Sequence, residues 1–406
     1  MAEKIISPGV FTNEIDQSFL PATAGPIGAA IVGPTVKGPI LEPTIVSSYS
    51  EYVQIFGEII ESGSDKFQYL TSHTAQEYLR QGGPLTVVRV GEPSLSKASA
   101  TIQAESSTDI FDLEVIGNGT SFNSTGSLDA NGRISPRSDD PASNSHFGTG
   151  SFGGRAENFR YEISQRNLSK GTFTLVLRQG NDEQDKKRVI ETFENLSLDP
   201  ESPNYILKRI GNQTTTIVTE GNQSFIQQTG EFPNRSKNVR VSNLYKKTPN
   251  YLKEDGTVDG DAYSASGSFI PVLGSGSYGG SFNGGDFGTQ NASHPFNFYL
   301  ETNDDTNSQG VALATSAATL GTGGYKTAIN LLKNKDEYDI DLLFIPGILD
   351  RDGENSNSII GDAIQMCEDR GDCFLVYDNT FLTDTVAVAK TNTEARNSSF
   401  AATYYP

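Results

Sequence analysis

Tryptophan is absent, cysteine occurs twice and histidine three times, and each shortage closes a class of function. Two cysteines build neither a disulfide framework nor a four-ligand zinc site. Cys367 and Cys373 lie within one apparent helix-loop-strand unit and read as reduced thiols, with Cys367 on the apolar face of its helix as a core thiol. His73, His146 and His294 fall in unrelated contexts, and no pair has the spacing of a metal site or of a catalytic triad. Missing tryptophan removes the best sugar-stacking side chain, although 16 tyrosines remain. No apolar run approaches the ~20 residues of a membrane helix, and no basic-plus-apolar leader opens the chain. A soluble protein made in the cytosol, without membrane insertion, is the expectation. Basic residues are also scarce, 31 against 50 acidic ones for a net charge of -19. That field repels phosphate backbones, so nucleic acid is not an expected partner.

Motifs that carry chemistry are missing as well. Gly321 to Thr327, GTGGYKT, suggests a phosphate cradle ahead of a helix. A Walker loop needs glycine immediately before its lysine so that the backbone wraps the anion, and Tyr325 stands there. Asp350 to Ser358 and Glu254 to Asp261 are acidic loops, but neither has the ligand spacing of a calcium hand. There is no G-x-S-x-G elbow and no dinucleotide fingerprint after a strand. Asn167-Leu168-Ser169 and Asn195-Leu196-Ser197 match a glycosylation triplet, and without a secretory signal they count as chance. No catalytic, cofactor-binding or metal residue is expected, and no cofactor.

What is present is turns and short strands. A chain of 406 residues with 41 glycines and 20% charged residues reads as two or three turn-rich domains. Ile27 to Gly33 is a short apolar strand, and a second strand follows in VKGPILEPTIVSS. Ser50 is the expected N-cap of a short helix stopped by Gly57, and a longer helix is expected from about Lys66 to Gln81, ended by Gly82-Gly83-Pro84. LTVVRV then reads as a strand covered on both faces. Near the other end a helix from Tyr325 to about Asn334, the strand IDLLFIPG, the helix SNSIIGDAIQMCEDR and the strand CFLVYD form a parallel crossover.

Between these lie short alternating segments, ATIQA, FDLEV, FRYEISQ, GTFTLVLRQ and KRVIETF. The last two suggest a hairpin whose charged tip, Asn181 to Lys187, is solvated and tolerant of change. Asp199 caps a short helix with Pro200 at its first position. Past Gly221 the pattern weakens, and Ser266 to Gly288 is glycine and serine rich, either a flexible loop or irregular β structure. The fold class expected is therefore α+β multidomain. A discontinuous α/β domain, residues 21–93 plus 304–406, is interrupted by a mostly β insertion at 94–220 and a glycine-rich irregular β or loop region at 221–303. The insertion is expected to project outward.

Residues 1–20 are expected to form an extended N-terminal arm. After the Ser7-Pro8-Gly9 turn signal, Phe11 and Ile15 fall on one side of a strand while Thr12, Glu14 and Asp16 fall on the other. LPATAGP then separates this strand from any hairpin partner. Ordering each arm residue costs about 1–2 kcal/mol of backbone entropy, whereas a net hydrogen bond returns about 1 kcal/mol. Burying Phe11 and Ile15 adds about 1.5–3 kcal/mol apiece. The arm is expected to be ordered only where a partner offers both a sheet edge and an apolar surface, so it should be mobile in the isolated chain.

Several segments taken in order resemble the contractile tail sheath family of bacteriophages and related injection machines. SPGVFTNEID, GAAIVGPTVKGP, YVQIFG and QGGPLTVVRV look like its N-terminal region, ETFENLSLDPESPNYILKRI a stretch of its insertion domain, and IDLLFIPG, MCEDRGDCFLVYD and SSFAATYYP its final α/β portion. The resemblance implies a structural subunit, not an enzyme, that stacks with other sheath subunits as hexameric rings in a helix around a tail tube protein. Such a sheath contracts to drive the tube through a cell envelope, with the baseplate and tail terminator as further partners. The location implied is the virion tail, after assembly in the host cytoplasm. It also implies that Pro8, Gly9, Val10, Phe11, Thr12, Asn13, Glu14, Ile15 and Asp16 pair with a sheet of a neighbouring subunit. In the family the chain continues past the YYP motif into a domain that accepts such arms, whereas this sequence stops at Pro406, so weak self-association is expected of it. The alternative from another class is a virion surface protein that binds a glycan or receptor through its β insertion.

Overall fold

The computed structural model describes residues 28–62, 65–91, 96–105, 107–118, 122–124, 158–221, 223–263, 269–272, 280–285, 307–309, 311–313, 324–350, 355–380 and 384–405. The arm at Pro8–Asp16, His146, His294 and most of the glycine-rich run lie outside the described residues.

The first described element is strand β1 (Ala29–Gly33), five residues all buried, followed by β2 (Thr44–Val46). Helix α1 (Tyr49–Phe56) is capped by Ser48 rather than Ser50. Ser48 is extended and its hydroxyl accepts from the Glu51 amide at 3.2 Å, while the Glu51 carboxylate accepts from the Ser47 amide at 2.9 Å. Satisfying orphan donors in both directions fixes the start of the helix two residues early. The segment expected to open the next helix instead forms an antiparallel pair, β3 (Ile59–Ser62) with β4 (Asp65–Gln68). Helix α2 (Leu70–Gln81) begins only after an extended, buried Tyr69. Its first amide is taken by the side chain of Gln309 at 2.8 Å, a tertiary partner 239 positions away that no local pattern announces. Strand β5 (Leu85–Arg89) is buried at every position.

The β region follows. Strands β6 (Lys97–Gln103), β7 (Asp109–Asn118), β8 (Phe159–Asn167), β9 (Thr172–Gln179) and β10 (Val189–Ser197) match the alternating segments, and β9 and β10 form the expected hairpin. No Pro200-led helix forms. The Asp199 carboxylate accepts from the Glu201 amide two residues on, at 3.0 Å, closing a turn, and Pro203 disfavours helix in the residue before it. The helical turn α3 (Ile206–Arg209) comes later. Regular strands continue past Gly221, where the pattern looked weak: β12 (Gln223–Thr229) pairs with β11 (Thr214–Glu220), and β13 (Val239–Leu244) pairs with β7. The threonine- and glutamine-rich sequences of β11 and β12 hide the apolar pair Ile217 and Ile226 on one face. Strand β14 (Gly280–Ser281) completes a sheet in the order β10-β9-β8-β14, and a second sheet runs β13-β7-β6. Both face one core in which Phe111 of β7 stacks on Phe173 of β9.

The chain then returns through a short pair, β15 (Asn307–Ser308) with β16 (Val311–Ala312). Helix α4 (Tyr325–Leu331), strand β17 (Leu342–Leu349), helix α5 (Asn355–Arg370), strand β18 (Phe374–Asp378), helix α6 (Val386–Glu394) and strand β19 (Ala401–Thr403) finish it. One six-stranded sheet, β19-β18-β17-β1-β5-β2, joins strands from both ends of the chain, parallel except for β2. The architecture is mixed α+β, with several sheets and few helices. Cys367 and Cys373 are buried and unbridged. Among the described residues no helix is long and apolar enough to cross a membrane.

Candidate functional site

In a parallel α/β sheet, ligands bind outside the carboxyl ends of the strands where the strand order reverses. Here that point lies between β1, which leads on to β5 at one side, and β17, which leads on to β18 at the other. The crevice is filled by the protein's own chain. Gln309 spans it: its carbonyl oxygen takes the first amide of α2, and its Nε2 donates to the Pro346 carbonyl at 3.1 Å. Ser308 Oγ donates to the Gly347 carbonyl at 2.7 Å. Both side chains are buried. The helix N-terminus that would hold an anion in a dinucleotide-binding sheet is thus capped from within.

The polar groups around this plug are sealed in the same way. Burial pushes the phenols of Tyr69 and Tyr325 well above their ordinary range, which makes them poor acids. Burial lowers Arg89 to about 10, and its guanidinium donates to the Gly38 carbonyl at 2.6 Å. At the end of β17, Asp350 faces inward. Arg396 donates to it at 2.8 Å and 2.6 Å, and Asn357 at 3.1 Å. Of the glycine loop before α4, Gly324 to Thr327 are described. Gly324 caps the helix, and Tyr325 turns into the core. His73 is exposed on α2. Among the described residues no three of His, Cys, Asp and Glu gather where they could hold a metal ion.

A cluster of charged side chains lies in the β region, and it corrects the expectation of a solvated hairpin tip. Asp182, Arg178 and Arg160 are 1%, 0% and 1% exposed. Arg178 donates to Asp182 through Nε at 2.7 Å and Nη2 at 3.0 Å, and Arg160 Nη1 adds a contact at 3.2 Å. The same Arg178 reaches Glu162 at 2.9 Å, and Lys187 Nζ closes on Glu162 at 2.8 Å. Burial alone would raise Glu162, but Lys187 and Arg178 hold its carboxyl below the ordinary range. Asp182 draws inward because β8 and β9 each place an arginine beneath it, and a desolvated guanidinium needs a carboxylate more than the tip needs water. Only the outer part of the tip, from Asp185 to Lys187, stays exposed. The carboxylates are saturated by donors and offer no open position for chemistry. Arg160 and Arg178 stand on strands with an Asp-containing tip between β9 and β10, and that is the sequence signal from which the cluster could have been anticipated.

An apolar surface lies at the far edge of the main sheet. Val386 and Tyr404 are 65% and 76% exposed, and Tyr405 donates to the Asp384 carbonyl at 2.9 Å beside the start of α6. Strand β19 next to them is the sheet's outermost strand.

No family model matches the chain, and no curated relative matches it in sequence. Its fold is similar to that of a sheath tail protein from Listeria innocua, with a TM-score of 0.36 and 10% identity over 87% of this chain and 48% of that one. A sheath tail protein from Desulfitobacterium hafniense gives a TM-score of 0.32 and 10% identity over 91% of this chain and 52% of that one. The chain spans about half the length of each of these sheath tail proteins to which its structure is similar.

Proposed function

We propose that the chain is a structural subunit, or a large part of one, of a contractile tail sheath that polymerises around a tail tube. The observation that carries the reading is the ordered series of segments from SPGVFTNEID to SSFAATYYP. Two structural features support it. The crevice where an α/β sheet would take a substrate is closed by Ser308 and Gln309, which disfavours an enzyme. Val386, Val388, Tyr404 and Tyr405 leave apolar surface beside an outermost strand, which is the surface type that protein contacts cover. In this reading residues 1–20 are an arm whose segment Pro8–Asp16 adds a strand to a neighbouring subunit, burying Phe11 and Ile15.

The test is negative-stain imaging and sedimentation of the full-length gene product. Rings or tubes are the expected outcome. Phe11→Asp combined with Ile15→Asp should abolish them while leaving the melting temperature of the monomer unchanged. Particles that stay monodisperse and bind a glycan array through the β region would replace this reading with that of a receptor-binding protein.

A further inference from the structure

Three apolar cores run through the described residues. One lies beneath α4 and α5, one between the sheets of the β region, and one beneath α1 and α2. Among the described residues the buried members of each come either from the α/β part or from the β region, never from both. The exception at the margins is the β11–β12 hairpin. Ile217 and Ile226 are cross-strand partners, and both pack against the core beneath α4 and α5. Beside them the buried Ser224 amide donates to Asn330 Oδ1 of α4 at 2.6 Å. Ile217, Thr219, Ser224 and Ile226 share this face by register, while Phe225 on the other face is exposed.

The root of the hairpin belongs to the β region. Gly211 and Gly230 flank it with φ of +107° and +124°. A Cβ would fall 2.3 Å from Asn234 Cα at Gly211 and 2.7 Å from the Asn212 carbonyl oxygen at Gly230. Asn212 exchanges hydrogen bonds with Phe232: its amide donates to the Phe232 carbonyl at 3.1 Å, and its Oδ1 accepts from the Phe232 amide at 2.8 Å. The hairpin is therefore rigidly rooted at one end and docked on α4 at the other.

Elsewhere, among the described residues, two cavities lie between the two parts. The larger, of about 390 Å³, is of mixed character, with Lys37, Glu51 and Ile55 on one side and Ile116, Phe122 and Lys237 on the other. A second, of about 240 Å³, sets Glu42 against Lys97, Gln213 and Arg240. Unfilled space leaves the facing side chains without packed partners, so such a seam holds the two parts less firmly than a filled core does.

We infer that the β11–β12 hairpin is a clasp that fixes the β region on α4, and that the β region turns against the α/β part as a body when the clasp releases. The face that parts is the one between Ile217, Ile226 and Ser224 on the hairpin and Asn330 on α4. The root at Gly211 and Gly230 moves with the β region. This property belongs to the single chain and does not depend on the assembly reading.

Hydrogen exchange of Ile217→Asn with Ile226→Asn tests it. Amides of α4 should exchange at least tenfold faster while β8 and β9 keep their protection, and the calorimetric trace should split into two transitions. Unchanged exchange in α4, or equal loss in α4, β8 and β9, would overturn the clasp by showing either no coupling or one continuous core. In the opposite direction, Ser224→Cys with Asn330→Cys, joined by a short bismaleimide, should slow α4 exchange and melt in one transition at higher temperature. A lock that forms and leaves both unaltered, or one that fails to form in the folded protein, would also overturn it.

Discussion

Beneath α4 and α5 the α/β part packs Ile329, Ile345, Ile359, Ile360 and Leu375, whereas the β region closes its sheets over Phe111, Phe122, Phe159, Phe173 and Phe282. Branched aliphatic chains fill the narrow grooves between helices and a parallel sheet. Flat rings span the gap between two antiparallel sheets and pair as they do so, Phe122 with Phe159 at 5.7 Å and Tyr161 with Phe282 at 5.8 Å between centroids. Polar groups differ too. The α/β part spends several buried polar side chains on backbone, as Gln309 and Arg89 do, and buries single charges such as Asp350, which Arg396 pairs. The β region gathers its buried charges into one cluster, with Arg160 and Arg178 both on Asp182. A backbone cap adds a hydrogen bond at each end, but a buried ion cluster is tolerable only while complete.

The largest expected effect breaks the β region at that cluster. Asp182→Asn leaves two desolvated guanidinium groups with one fewer countercharge and should cost about 3–5 kcal/mol in urea unfolding. The pH dependence sharpens the same point. Because Lys187 and Arg178 depress Glu162 in the folded state, its stabilisation is complete above the unfolded carboxyl value of about 4.3. It is lost as pH falls through the lower folded value. Unfolding followed from pH 6 down to 2 should show this loss, and Glu162→Gln should flatten that part of the profile.

Next in size is the plug of the α/β part. Gln309→Ala uncaps Leu70 and strips the Pro346 carbonyl of a partner, which should cost about 1–3 kcal/mol and speed exchange in the first turn of α2. If α2 is unaffected, the plug does not set where that helix starts. The smallest is Ser48→Ala, about 1 kcal/mol in thermal melts, with Ser50→Ala changing little. The reverse ranking of these two serines would restore Ser50 as the cap.

Much of the α/β part was legible because its strands are short contiguous apolar runs. AAIVG and LTVVR announce positions covered on both faces, FLVYD alternates between half-buried and buried positions, and SNSIIGDAIQMCEDR carries its helical stripe openly. The β6 to β10 strands showed through their alternation. What escaped is what depends on distant partners. Residues 66–69 continue the pattern of α2, yet the helix starts at Leu70 because Gln309 supplies the cap. Asp182 sits in a run of charges that alone reads as solvated, and two arginines on neighbouring strands reverse that.

By itself the sequence determined a mixed α+β protein and the type of most elements, β1, β5, α5 and the alternating strands from β6 to β10 among them. These follow from residue spacing, which acts over a few positions. Only the tertiary structure decided that β1 lies between β5 and β17, that the crevice there is closed from within, and that the β11–β12 hairpin reaches back to α4. Each of these joins residues far apart in the chain. Contacts of that kind are fixed by which apolar faces can be buried together and which desolvated donors find acceptors, and neither is encoded in local periodicity.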